Sequence, residues 1–422
     1  DPRWRRSIRC KNMLWNAGEE WVVMGLTLAV ALAGSLVLTP LARRIAWRID
    51  AVSRPDGDRK RQRRPTALLG GIAVYVSFIG ALLLTESAGG PRAVFPLYAA
   101  VATSAGMLCL LGLIDDLYEL RARTKLIGQI AATMPVVLAG FSADSLRLFG
   151  VDFALHGLSA PWTTIWLVLA INAMNLIDGM DGLAPTIGIV GGAAIAAIAL
   201  WQGSLFLALP ALALAGALMG FVVHNLPPAR IYLGDCGSMP IGLILALLGQ
   251  EVSRTATGSV NVPILVLLLF VPLLDTGLAV VRRTLRGRNF MTPDYSHMHH
   301  QMLSQGLSVW TVLVVMGGLA TTSSAMACCG VASGRVAWAF AAVFALTALL
   351  AWRRLVAGEE QQLLSERITA WAARRPRAVT EQASPAPPLT LFVAGEQSTE
   401  SRAVPLVKAV AEQEALADRQ AA

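Results

Sequence analysis

Apolar residues run through this chain in long blocks separated by short polar stretches. Eleven blocks are candidate membrane spans: Trp21–Leu41, Leu68–Thr85, Phe95–Ile114, Leu126–Phe141, Trp162–Leu176, Pro185–Trp201, Leu205–Val223, Met239–Gln250, Val262–Val281, Val309–Cys329 and Val336–Trp352. Most approach the roughly 20 residues that a helix needs to cross a hydrocarbon core of about 30 Å. Lipid offers backbone amides no partner, so each block should be helical. The pattern predicts an all-α polytopic membrane protein with about eleven transmembrane helices. The eighth block is the shortest of them. Between Ser142 and Ala160, Leu146, Leu148, Val151 and Phe153 alternate around Gly150, which predicts a small hairpin.

The polar stretches set an orientation. The loop after the first block carries Arg43, Arg44, Arg48, Arg54, Arg59, Lys60, Arg61, Arg63 and Arg64, and the loop after the ninth carries Arg282, Arg283, Arg286 and Arg288. The loops between them on the other side hold few basic residues: Arg92, Arg147, Arg254 and Arg335. Positive charge marks the cytoplasmic side, so the N terminus is expected outside and the C terminus inside. Residues 1–20 are basic and run against this rule. The stretch before Met13 reads as non-native, and no cleavable signal peptide is evident. Residues 21–353 form the expected transmembrane domain. Residues 354–422 form a cytoplasmic tail, partly helical and then rich in Ala, Pro, Glu, Gln and Ser.

Composition agrees. Of 422 residues, 55% are hydrophobic and 15% charged, and mean hydropathy is +0.57, which excludes an ordinary soluble enzyme. A net charge of +8 would suit a nucleic-acid binder. Here the basic residues flank apolar blocks, so lipid head groups and phosphates are the expected partners and nucleic acid is not. The five cysteines show no metal-ligand spacing.

Candidate chemistry collects in the predicted cytoplasmic loops. The stretch Asn172–Ala184, N-A-M-N-L-I-D-G-M-D-G-L-A, places Asn172, Asn175, Asp178 and Asp181 between two apolar blocks. Ionisable groups are costly there and mark function more often than a simple polar turn does. Asp115 and Asp116 stand at the end of the third block. Adjacent carboxylates repel, and either a divalent cation or Arg121 and Arg123 could relieve them. Asp235 lies in G-D-C-G-S at the head of a helix, where glycines permit close approach and the helix N-terminus favours an anion. The Gly70–Gly71 pair after the basic first loop could hold a phosphate through backbone amides, although most of that loop reads as an orientation signal. His297, His299 and His300 follow four arginines. That favours a phosphate or pyrophosphate site, with zinc as the alternative to exclude. Together these point to phosphoryl transfer to or from a lipid. A transporter should instead spread its carboxylates along a midplane path. A silent scaffold for the tail is the third reading.

The motifs in order resemble those of the polyprenyl-phosphate N-acetylhexosamine-1-phosphate transferases: Asp115–Asp116 with K-L-I-G-Q from Lys125, N-x-x-N-x-x-D-G-x-D-G-L-A, A-R-I-Y-L-G-D-C-G-S and His-x-His-His. The likeness runs from about the first block to the histidines. It implies a UDP-sugar donor, a polyprenyl phosphate acceptor, and UMP as the leaving group. It implies catalytic roles for Asp115, Asp116 and Asp235, and a magnesium (Mg2+) site at Asp235, Asp116 and Asn175, with manganese (Mn2+) as the alternative. Lys125, Asn172, Asp178, Asp181, Arg286, Arg288, His297, His299 and His300 would bind nucleotide and sugar phosphate. The histidine pattern resembles the branch that uses UDP-N-acetylglucosamine, with the UDP-N-acetylmuramoyl-pentapeptide branch as the alternative. The resemblance implies a plasma (inner) membrane protein with a cytoplasmic-face site, and it admits a homodimer. The chain departs from the branch at Gln62, Ala67 and Leu68, where His, Pro and Arg are usual.

Overall fold

The structure, a computed structural model, describes residues 17–54, 65–87, 95–287, 296–352 and 358–374. The chain divides into two compact units, residues 1–370 and 371–422, and only 371–374 of the second are described. Among the described residues, fourteen α-helices dominate: α1 Ala17–Arg48, α2 Gly70–Ser87, α3 Phe95–Tyr118, α4 Ala122–Leu138, α5 Ser159–Ile177, α6 Leu183–Trp201, α7 Leu205–Asn225, α8 Asp235–Val252, α9 Val262–Leu268, α10 Phe270–Leu285, α11 Met298–Ser304, α12 Val309–Ser333, α13 Val336–Trp352 and α14 Gly358–Arg374. Every predicted block is helical, and the protein is a helical, polytopic membrane protein.

The count of crossings is coarser than the sequence suggests. Among the described residues, six helices are long and apolar enough to span, and a seventh span is formed if α9 and α10 act together. The ninth block is not one straight helix. α9 and α10 meet at Leu269 with a bend of 93°.

α8 is the central post of the bundle. Every residue from Cys236 to Gln250 is buried, and α2, α3, α5 and α6 all pack against it. This explains why the shortest block is apolar on all sides: it meets protein rather than lipid. α1 lies on α7, with its outer face, Trp21, Val22 and Val37, left exposed as a lipid-facing surface would be.

Short strands trim both ends. β1 (Val52–Ser53) pairs antiparallel with β2 (Thr66–Ala67). The predicted hairpin is present as β3 (Ser145–Leu148) and β4 (Val151–Ala154), with Leu148 opposite Val151. β5 (Val260–Asn261) joins β3 in parallel, with Leu146 opposite Val260. The carboxylates instead gather at the other end, where α3 and α5 finish and α4, α6 and α8 begin.

Candidate active site

Asp115 and Asp116 occupy the last turn of α3 and do different work. The two oxygens of Asp116 accept the backbone N–H groups of Asp235 (3.0 Å) and Cys236 (3.2 Å), the first amides of α8. A helix N-terminus offers such unpaired donors and favours negative charge. Gly234 makes the approach feasible. Its φ is +72°, and a Cβ there would stand 2.6 Å from Asp116 Oδ2. Asp115 Oδ1 accepts Leu120 N–H at 2.7 Å, which turns the chain back after α3.

Lys125, in the first turn of α4, joins the acids. Its ammonium contacts Asp115 Oδ2 at 2.8 Å, also pairs with Asp235, and donates to Asn175 Oδ1 at 3.1 Å. Asn175, near the end of α5, donates to Asp235 Oδ1 (2.7 Å) and to Ser238 Oγ (3.0 Å). Four helices thus contribute to one connected network. Asn172 sits farther back along α5. It exchanges hydrogen bonds with Gln129 of α4, at 2.8 Å and 3.3 Å, and staples the two helices.

The doubled Asp-Gly is a loop with a divided task. Asp181 Oδ2 accepts Ala229 N–H at 2.9 Å, beside the cis Pro227–Pro228 bond. Gly182, at φ +76°, donates its N–H to Asn225 Oδ1 at 2.9 Å, and Asn225 Nδ2 donates to the Ile231 carbonyl at 2.8 Å. Burial raises the Asp181 carboxyl above the usual range, against the opposing bond from Ala229. Asp178 keeps some exposed surface but is densely enclosed. Burial first, then the negative Asp235, Asp116 and Asp181, push it well up.

The histidines come to this loop. A Cβ at Gly179 would lie 2.5 Å from His299 Nε2, so a side chain there would have to displace the imidazole. His299 is fully buried, its ring parallel to that of His297 with centroids 6.1 Å apart, and 4.1 Å from that of His300. His297 Nδ1 is 2.8 Å from Asp275 Oδ2, whose Oδ1 accepts Met298 N–H at 2.7 Å. The sequence reading passed over Asp275. Its signal was present: a lone carboxylate inside an apolar block. Asn225 was missed as well. Arg286 is exposed at the end of α10, and Arg288 lies outside the described residues, as does Gln62 with the basic segment 55–64.

One expectation is overturned. Gly70 and Gly71 do not present amides to a phosphate. Gly70 N–H donates to the Tyr232 carbonyl (3.0 Å) and Gly71 N–H to that of Leu233 (2.8 Å). Ala67 bridges Ile231 on the same track. The pair packs the start of α2 against the strand-like approach to Asp235, and the backbone of Gly71 touches that of Gly237. Close packing, rather than a ligand, demands the missing side chains.

Among the described residues, no three His, Cys, Asp or Glu side chains are grouped as ligands around a single metal point. The donor chemistry nevertheless suits a hard dication: Asp115 and Asp235 share the ammonium of Lys125, Asp116 adjoins Asp235, and Asn175 adds an amide oxygen. Such an oxygen set would hold an ion in exchange for the Lys125 contacts.

Residues 98–252 match glycosyl transferase family 4, and that range holds the whole carboxylate network. The chain is 34% identical to the probable undecaprenyl-phosphate N-acetylglucosaminyl 1-phosphate transferase of Bacillus subtilis, over 66% of this chain and 77% of that one. It is 35% identical to the decaprenyl-phosphate N-acetylglucosaminephosphotransferase of Mycobacterium tuberculosis, over 70% and 79%. It is 26% identical to the undecaprenyl-phosphate alpha-N-acetylglucosaminyl 1-phosphate transferase of Escherichia coli, over 67% and 78%. With its carboxylates, Lys125 and histidine cluster brought together at one end of the bundle, the chain belongs to glycosyl transferase family 4.

Proposed function

We propose that this protein transfers N-acetylglucosamine 1-phosphate from UDP-N-acetylglucosamine to a polyprenyl phosphate such as undecaprenyl phosphate, releasing UMP. The observation that carries the reading is the Asp115–Lys125–Asn175–Asp235 network, polar and partly open, at one end of an apolar bundle. A phosphate on a lipid reaches such a place without leaving the membrane. The names of the related proteins support the acceptor and the sugar. The motif resemblance supports the UDP donor.

An oxygen of the lipid phosphate attacks the sugar-linked phosphorus. A new P–O–P bond forms there, and the bond to the UMP oxygen breaks. Both reactants are anions, so the site must offset charge and fix alignment. Lys125 supplies a cation directly beside Asp115 and Asp235. One of Asp115 and Asp116 removes the remaining proton of the lipid phosphate, and Asp115, less committed to backbone amides, is the better placed. Asp235, with Asp116 and Asn175 beside it, would hold magnesium (or manganese), which neutralises diphosphate charge. Asp178 and Asp181 border the nucleotide, and the histidines and Arg286 border the diphosphate and sugar. Eleven crossings of a plasma membrane, the N terminus outside and the site at the cytoplasmic face complete the proposal, with a homodimer as the proposed assembly.

The full chain, purified with magnesium and undecaprenyl phosphate, should release UMP from UDP-N-acetylglucosamine. Asp115→Asn and Asp235→Asn should lower the rate by on the order of 100-fold or more, as loss of a preorganised charged group does. Release from other UDP-sugars alone would overturn the sugar. Release from none would overturn the enzyme.

A further inference from the structure

The last described helix, α14, lies beyond the reach of the motif resemblance, yet it buries a carboxylate beside the histidine segment. Glu360, in its first turn, is only 5% exposed. It accepts a charge-assisted bond from Arg282, a fully buried arginine in the last turn of α10. Its two oxygens also lie 3.3 and 3.4 Å from Gln301 Nε2, on α11. The same Gln301 Nε2 donates to the Ser296 carbonyl at 2.8 Å, and Gln301 N–H donates to the His297 carbonyl at 3.0 Å. The bonds therefore run from Glu360 through Gln301 to the backbone that carries His297.

α10 holds both the histidine segment and α14. Asp275 holds the His297 ring, and Arg282, seven residues later and so on the same helix face, holds Glu360. A second contact docks α14, from Arg367 to the Leu285 carbonyl at the end of α10. A buried carboxylate is costly unless it is paired, so the docking of α14 is specific to this arginine and glutamine. A surface helix that merely capped the bundle would have no use for it.

We propose that Glu360 is a positioning residue of the active site. It ties α10 to α11 and so sets where His297, His299 and His300 stand relative to the Asp178–Gly182 loop. The kinetic part of its test rests on the transferase reading above.

Four full-length proteins decide it: wild type, Glu360→Gln, Glu360→Asp and Glu366→Gln, the last on an exposed position of the same helix that bonds only within it. Glu360→Gln should raise KM for UDP-N-acetylglucosamine about tenfold, the scale of one charge-assisted hydrogen bond, with kcat changed less than about twofold. Glu360→Asp should recover part of the loss, and Glu366→Gln should match wild type. Hydrogen exchange should quicken at residues 296–307 in Glu360→Gln. A lowered melting temperature with KM and exchange at 296–307 unchanged would reduce Glu360 to a staple for the tail and overturn the inference. Should wild type release no UMP, the function falls. Exchange at 296–307 still decides the inference, and no change there overturns it.

Discussion

Asp178 shows how one side chain can store a pH dependence. Its carboxyl is raised well above the ordinary range by burial and by neighbouring negative charge. A carboxyl whose folded pKa exceeds its unfolded value stabilises the fold fully below the unfolded value, about 3.9 for Asp. That contribution is lost as pH rises through the folded value. The ligand-free protein should therefore lose thermal stability through that window. Asp178→Asn, which mimics the protonated form, should show a shallower fall when melting is followed against pH in detergent. Equal slopes would contradict the assignment. The residues of the carboxylate network were legible because acids, amides and a lysine are rare beside apolar blocks. Asp275 was legible only as a lone carboxylate in an apolar block, and nothing next to it in sequence reveals that its partner is His297, 22 residues on. The Gly70–Gly71 pair was misread for a related reason. Sequence shows that a side chain is absent, but not whether a ligand or another backbone fills the space.

At the scale of elements, α8 organises the site through its first turn. Its amides are held by Asp116, its Asp235 by Lys125 and Asn175, and its Gly237 by the start of α2. Two backbones in contact cannot separate by a rotamer change. Gly71→Ala should therefore cost more than the about 1–3 kcal/mol typical of overpacking, because a Cβ there meets the Gly237 backbone. Unfolding of the purified variant, or its failure to accumulate, tests this; wild-type stability would refute it. The helices themselves were legible from block length, since lipid leaves the backbone no other choice. The bend at Leu269 was not. The block from Val262 to Val281 carries Asp275 and Thr276 among its apolar residues, and its one cue to a break, Pro272 in the first turn of α10, fixes neither the place nor the angle of the bend.

At the scale of the molecule, the carboxylate network and the β3–β4 hairpin occupy opposite ends of the bundle. The proposed orientation gives a direct test in a cysteine-free background. Val151→Cys, on the exposed strand β4, should react in intact cells with a maleimide that cannot cross membranes. Arg123→Cys, at the exposed start of α4, should react only after permeabilisation. The reverse pattern would invert the topology. The number of traverses could not be read from block lengths, because among the described residues α2 and α13 are short apolar helices and the ninth block is bent at Leu269. The contact between His299 and Gly179 adds a rule of parity. The chain departs from the network along α8, yet its histidines end back beside the Asp178–Gly182 loop. Between them, the described path runs through β5, α9 and α10. The bent pair must therefore serve as one return leg. An excursion that doubled back to the hairpin end would leave the histidines on the wrong side of the molecule.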